Sequence, residues 1–125
     1  NDYLWGDAGN DRLLGKDGKD KLYGGDDNDT LIGGDGKDKL WGDAGSDVFV
    51  FDDSSGNDKI FDFDAFDALE MIDLSAVSRI KDYSDLISNH LKQDGTDCVI
   101  DDGKGNVITL VNVMISDLDA SDFIF

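Results

Sequence analysis

Along the first fifty residues an apolar side chain recurs at every ninth position: Leu4, Leu13, Leu22, Leu31, Leu40 and Phe49. Around each runs the pattern Gly-x-x-Gly-x-Asp-x-φ-x, with φ apolar. The complete units GDAGNDRLL, GKDGKDKLY, GGDDNDTLI, GGDGKDKLW and GDAGSDVFV fill Gly6 to Val50 without a gap. Such a unit predicts a carbonyl-exposing turn followed by a three-residue strand, with the φ side chain pointing inward. Units two and four carry lysine at positions five and seven and an aromatic at position nine; the other three end in Leu14, Ile32 and Val50. The true period is therefore 18 residues, two strands per coil with two unlike faces. One face aligns Trp5, Tyr23, Trp41 and Phe61, flanked by Tyr3, Lys21, Lys39 and Lys59, and the φ side chains form a thin core between the faces.

The phase breaks at Asp52 and Asp53, and a degenerate unit follows from Asp53 to Phe61, with Gly56, Asp58 and Ile60 in the expected places. From Ile60 to Leu74, apolar residues alternate with aspartates, predicting short strands with an irregular crossing around Asp62, Asp64 and Asp67. Ser84 with Leu86, Ile87 and Leu91 predicts a capped helix of about two turns. Cys98–Ile100 and Val107–Val111 read as a β-hairpin whose connecting glycines allow positive φ. Residues 116–121 read as a turn or short helix. Two regions are expected, packed as one module: the repeats over residues 1–61 and a cap over 62–125.

Charge sharpens this reading. The chain has 29 acidic and 11 basic residues, a net charge of −18, and Glu70 is its one glutamate. Aspartate is a turn former with a short reach, so its near-exclusive use points to carboxylate-bearing turns rather than acidic helices. Disorder is the alternative from charge alone, opposed by the regular Leu, Ile, Phe and Trp. Cys98 has no partner for a disulfide and reads as a buried strand thiol. No apolar run is long enough to span a membrane, and no basic-then-apolar secretory leader opens the chain. The chain starts inside a repeat, as a segment of a longer polypeptide would, so an upstream domain is expected. The acidic balance disfavours nucleic acid, whose phosphates require a basic excess.

Stacking the coils brings aspartates 18 residues apart close together. Two carboxylates about 4 Å apart repel by about 4 kcal/mol at an effective dielectric of 20. A divalent cation between the turns reverses the sign of that interaction, so folding and binding become one event. Oxygen-only ligands on loose glycine turns favour calcium. An EF-hand is excluded, because its loop requires a glutamate at position twelve and the repeats contain none.

The five tandem units resemble the RTX (repeats-in-toxin) family, whose nonapeptide is a calcium-binding β-helix repeat. The resemblance implies an all-β fold: a right-handed parallel β-roll with calcium between coils, capped by a C-terminal β-rich segment with a short helix. It implies sites built from the position-two and position-four carbonyls and position-six carboxylate of one turn, with the position-one and position-three carbonyls and position-six carboxylate of the turn 18 residues on. These sets are Asp7, Gly9 and Asp11 with Gly24, Asp26 and Asp29; Lys16, Gly18 and Asp20 with Gly33, Asp35 and Asp38; and Gly25, Asp27 and Asp29 with Gly42, Ala44 and Asp47. A fourth joins Gly34, Gly36 and Asp38 to Asp53, Ser55 and Asp58, and Asp2 with Gly15, Asp17 and Asp20 makes part of another. About three to five calcium ions are implied.

Residues 56–125 resemble the C-terminal region of type I secreted proteins such as serralysin-like proteases, RTX lipases and alginate epimerases. The resemblance is carried by Gly56-Asn57-Asp58-Lys59-Ile60-Phe61-Asp62-Phe63, Ile72-Asp73-Leu74-Ser75 and the terminus Asp122-Phe123-Ile124-Phe125, which would act as the secretion signal. It implies partnership with the type I machinery, export of an unfolded chain and folding in extracellular calcium.

The expected function is a non-catalytic, calcium-folded module that supports export and stability of a larger secreted protein. An alternative is binding of an acidic polysaccharide such as alginate by Trp5, Tyr23, Trp41, Lys21 and Lys39, with Lys59 beside them. Against it stands a purely structural role, the aromatics packing beneath the C-terminal segment and the lysines offsetting aspartate charge. Catalysis is disfavoured: His90, the lone histidine, is expected on the exposed face of the short helix, and no nucleophile has a nearby base.

Overall fold

Each nonapeptide forms one turn and one short strand, and successive strands alternate between two sheets. The computed structural model describes residues 1–125. Strands β1 (Tyr3–Ala8), β3 (Lys21–Asp26), β5 (Lys39–Ala44) and β7 (Asn57–Ile60) lie parallel in one sheet; β2 (Arg12–Leu14), β4 (Thr30–Ile32), β6 (Val48–Asp52) and β8 (Met71–Ala76) lie parallel in the other. The 18-residue period sets the register, with Leu4 opposite Leu22 and Leu22 opposite Leu40 in one sheet, and Leu13, Leu31 and Phe49 in line in the other. Beyond the repeats the step lengthens, from Leu40 to Ile60 and from Phe49 to Ile72, yet the inward row is kept. Leu22, Leu31, Leu40, Phe49, Ile60 and Ile72 are all fully buried. The φ position therefore builds the core.

Residues 62–125 extend both sheets. β11 (Val107–Leu110) pairs parallel with β7, then β10 (Asp97–Asp101) and β9 (Leu91–Asp94) follow antiparallel, giving the order β1-β3-β5-β7-β11-β10-β9. In the second sheet β12 (Phe123–Ile124) pairs parallel with β8. The predicted hairpin is present, and Cys98 lies in the core row opposite Leu110, its thiol pushed up to about 12 by burial. At the joint, Asn106 donates to Asp53 O and to the Asp102 carboxylate and accepts from Gly56 N, fastening the hairpin turn to the degenerate unit.

The predicted helix differs from the observed one. A single α turn spans Tyr83–Asp85, capped by the Asp82 carboxylate rather than by Ser84, and runs into a π turn, Leu86–His90. Leu91 leaves the helix to start β9, because pairing with β10 satisfies its backbone better than a further isolated turn would. His90 is not exposed: its side chain is 12% accessible, and Nδ1 lies 2.7 Å from Asp101 O. The C-terminal segment also does not cover the aromatic face, since β11, β10 and β9 lie beside β7 rather than over it. No helix is long and apolar enough to cross a membrane.

Phe49 meets the ring of Phe63 edge-on at 6.3 Å. Phe49→Ala should lower stability by about 3 to 5 kcal/mol, seen as a fall in the urea midpoint at saturating calcium. A loss below about 1 kcal/mol would contradict this placement of the core.

Candidate metal centre

The turns share one backbone geometry irrespective of their side chains. Position two is left-handed in every unit, with φ of 69° at Asp7, 71° at Lys16, 114° at Gly25, 91° at Gly34 and 66° at Asp43. Position four is likewise positive, at Gly9, Gly18, Asp27, Gly36 and Gly45, and at Gly56 of the degenerate unit. Aspartate tolerates this conformation; Lys16 adopts it against its preference. At Gly36 glycine is required on two counts, because a Cβ would sit 1.8 Å from the Gly18 carbonyl oxygen of the preceding coil.

The resulting carbonyls face one another across the gap between coils. Forward-facing oxygens at position two (Asp7, Lys16) and position four (Gly18, Asp27, Gly36) abut the equivalent residue of the next coil. Backward-facing oxygens at position one, on Gly24, Gly33 and Gly42, abut Gly6, Gly15 and Gly24. At position three, Asp26 O, Asp35 O and Ser55 O accept from Gly9 N, Gly18 N and Gly36 N. A carbonyl oxygen has two lone pairs, so one remains for a further partner.

Between these carbonyls stand the position-six carboxylates. Asp20, Asp38, Asp47 and Asp58 are 1% exposed and Asp29 is 2%, while Asp11 is half-buried. In each coil Oδ1 accepts from the position-six amide of the coil before: Asp29 from Asp11 N at 2.7 Å, Asp38 from Asp20 N at 2.7 Å, Asp47 from Asp29 N at 2.8 Å and Asp58 from Asp38 N at 2.8 Å. Asp20 accepts from Asp2 N in the same way, leaving the Asp2 side chain exposed. The other oxygen, Oδ2, is buried without any hydrogen-bond partner at Asp20, Asp29, Asp38 and Asp58. A buried ionised oxygen with no partner is costly, and here four recur, at Asp20, Asp38 and Asp58 in one line of turns and at Asp29 in the other.

No basic side chain relieves them. The chain's ion pairs involve only its amino terminus and His90, so none of its 11 lysines and arginines is paired. Burial therefore raises the carboxyls of Asp29, Asp38, Asp47 and Asp58, that of Asp58 to about 8 and that of Asp47 to about 6, against the lowering effect of the amide each accepts from, with neighbouring aspartate charge adding to the rise. A hard cation fits this donor set, since oxygens alone face the gap. No three acidic, histidine or cysteine side chains converge as a cluster.

The aromatic residues form a continuous stack, with ring centroids 5.9 Å apart from Tyr3 to Trp5, 5.7 Å to Tyr23, 4.6 Å to Trp41 and 4.4 Å to Phe61, the planes within 23° of parallel. Lys21 Nζ sits 4.7 Å from the Tyr3 ring centre and Lys39 Nζ 5.9 Å from that of Phe61. Lys21, Lys39 and Lys59 share one cross-strand row. Asp122 and Phe123 of the C-terminal motif are buried and Phe125 is exposed. Sequence reasoning missed a ladder at position five, where Asn28 N donates to Asn10 Oδ1 and Ser46 N to Asn28 Oδ1. It also missed Asp62, whose carboxylate accepts from Gly42 N and Asp43 N. The first was legible in the 18-residue period; the second depends on a crossing that has no period.

Oxygen-lined turns stacked in a two-sheet parallel roll define a calcium-binding β-roll. The RTX calcium-binding nonapeptide repeat model matches residues 1–22, 14–49 and 23–60, and the chain belongs to this family. In structure it is similar to the AlgE6R3 subunit of the Azotobacter vinelandii mannuronan C5-epimerase, at 30% identity and TM-score 0.70 over 99% of this chain and 77% of that one. It is also similar to the AlgE6R2 subunit of that enzyme, at 24% identity and TM-score 0.63 over 98% and 91%. Extracellular lipase LipA from Serratia marcescens shares the fold at 21% identity and TM-score 0.81, and this chain spans 19% of that lipase's length. No curated protein matches in sequence.

The raised carboxyls fix the sign of the pH response without metal. A carboxyl raised by folding holds its proton in the folded state, so its contribution is full below the ordinary carboxylate range and lost as pH rises through the folded value. Chelated protein should gain β-sheet circular dichroism as pH falls from about 8 towards 4, whereas acidification of calcium-loaded protein should release ions. A chelated spectrum that loses β signal over that range would contradict the assignment.

Proposed function

We propose that this chain is a non-catalytic module that takes up calcium between its coils, folds as it does so outside the cell, and supports type I export and stability of a larger secreted protein. The observation that carries the reading is the set of buried Oδ2 atoms at Asp20, Asp29, Asp38 and Asp58, unpartnered and set among the carbonyls between coils. The ligands would be Asp7, Gly9, Asp11, Gly24, Asp26 and Asp29 in the first gap and Lys16, Gly18, Asp20, Gly33, Asp35 and Asp38 in the next. Gly25, Asp27, Asp29, Gly42, Ala44 and Asp47 would hold a third ion, and Gly34, Gly36, Asp38, Asp53, Ser55 and Asp58 a fourth, with Gly15 and Asp17 at the N-terminal edge. Calcium would supply the positive charge that lets these carboxylates stay ionised while buried. Residues 1–61 would be the calcium-responsive roll, and 62–125 its cap and export segment ending in Asp122-Phe123-Ile124-Phe125.

A second reading, binding of an acidic polysaccharide, is favoured by the row of unpaired lysines at Lys21, Lys39 and Lys59 and by similarity to a mannuronan epimerase subunit. Strand spacing sets the backbones of these lysines about 5 Å apart along the roll axis, with the Lys21 ammonium over the Tyr3 ring and that of Lys39 over the Phe61 ring. The faces of Tyr23 and Trp41 are occupied by neighbouring rings, so a sugar would meet ring edges and lysine charge rather than stack on those faces.

Far-ultraviolet circular dichroism should be coil-like in chelator and gain β signal cooperatively at millimolar calcium; a calcium-independent spectrum would sink the first reading. For the second, replacing Lys21, Lys39 and Lys59 together by Glu should abolish retention on an alginate column at low salt without altering calcium folding. Unchanged retention would end that reading.

A further inference from the structure

The register of the second sheet continues one coil beyond the repeats. Val48 faces Met71 and Phe49 faces Ile72. The bond from Met71 N to Asp47 O, 2.8 Å, repeats those from Val48 N to Asp29 O and Thr30 N to Asp11 O, each 2.9 Å. Residue 70 therefore holds the place that Asp11, Asp29 and Asp47 hold in the three coils before it. Its occupant is Glu70, the chain's one glutamate.

Glu70 is 95% buried, being 5% exposed, and Asp47 is 1% exposed. Glu70 Oε1 accepts from Asp64 N at 3.3 Å, and Oε2 has no hydrogen-bond partner. The groups whose charge bears on Glu70 are Asp47, Asp62 and Asp64, with no basic residue among them. The Asp47 unit keeps the turn geometry of the others, with Asp43 at φ 66° and Gly45 at φ 145°. The connection is irregular, however: 23 residues separate Asp47 from Glu70, where 18 separate Asp29 from Asp47. A glutamate reaches one methylene farther than aspartate, which suits a strand that enters from a longer crossing.

Resting on the calcium-module reading, we infer that Asp47 and Glu70, with the carbonyls of Asp43 and Gly45, hold one further calcium ion that closes this row of sites at its C-terminal end. The nonapeptide pattern does not mark this site, because its second carboxylate lies outside any repeat. Asp47 then serves two ions, one on either side of its coil, and Glu70 serves only the last.

The test is the number of calcium ions bound, measured by equilibrium dialysis with elemental analysis on the whole chain and on Glu70→Gln. The variant should fold in calcium and bind one ion fewer. An unchanged count would overturn the site while leaving the module reading standing; a wild-type chain that binds no calcium would overturn both. Should Glu70→Gln fail to fold, wild-type protein labelled with ¹³C at glutamate decides the matter through its single side-chain carboxyl resonance. At neutral pH in calcium it should be that of an ionised carboxylate and should shift when lanthanum replaces calcium. A protonated resonance, or one indifferent to the exchange of metal, would overturn the site.

Discussion

Like-charged carboxylates buried in register are the constraint on which the rest of this structure depends. Asp20, Asp29, Asp38, Asp47 and Asp58 sit almost wholly out of water with no basic side chain beside them. Each gains one amide from the preceding coil, which fixes its orientation, and only Asp20 also meets a cation, the amino terminus at 3.0 Å. Without a cation, the coils come together only if these groups are protonated, and otherwise stay apart. The same geometry that makes the metal-free roll unfavourable makes it a good receptor for a hard divalent ion.

The core alone would not hold the coils against that repulsion. Each 18-residue coil contributes two inward side chains, and the two sheets meet along one narrow apolar row. The aromatic stack from Tyr3 to Phe61 and the asparagine ladder add contacts of the same periodic kind, each linking a coil only to its neighbours. Residues 62–125 differ in character. They close the roll with a larger core, including Leu74, Leu86, Ile100 and Leu110, and their antiparallel strands end the parallel stacking.

The two parts were legible in the sequence to different degrees for the same reason. In the repeats every position recurs in a fixed environment, so φ residues, turns, aspartates and aromatic face could be read from spacing alone. Even Lys16 and Asp27, which replace glycines, take the backbone conformation that their positions demand. The cap has no period, and local signals misled there: Ser84 resembles a helix cap, but Asp82 is the cap, and Leu91 is drawn into β9 by a pairing distant in sequence. Likewise Asp62 and Glu70 could not be placed from spacing, because the crossing between β7 and β8 sets their positions.

Hydrogen exchange at the amides of Asp11, Asp20, Asp29 and Asp38 tests the central claim most directly, since each donates to the carboxylate of the next coil. With calcium these amides should be protected about a thousandfold or more, equivalent to roughly 4 kcal/mol of local stability, and in chelator at neutral pH they should exchange at the rate of an unstructured chain. Equal protection in both conditions would contradict the claim that the buried carboxylates require a cation.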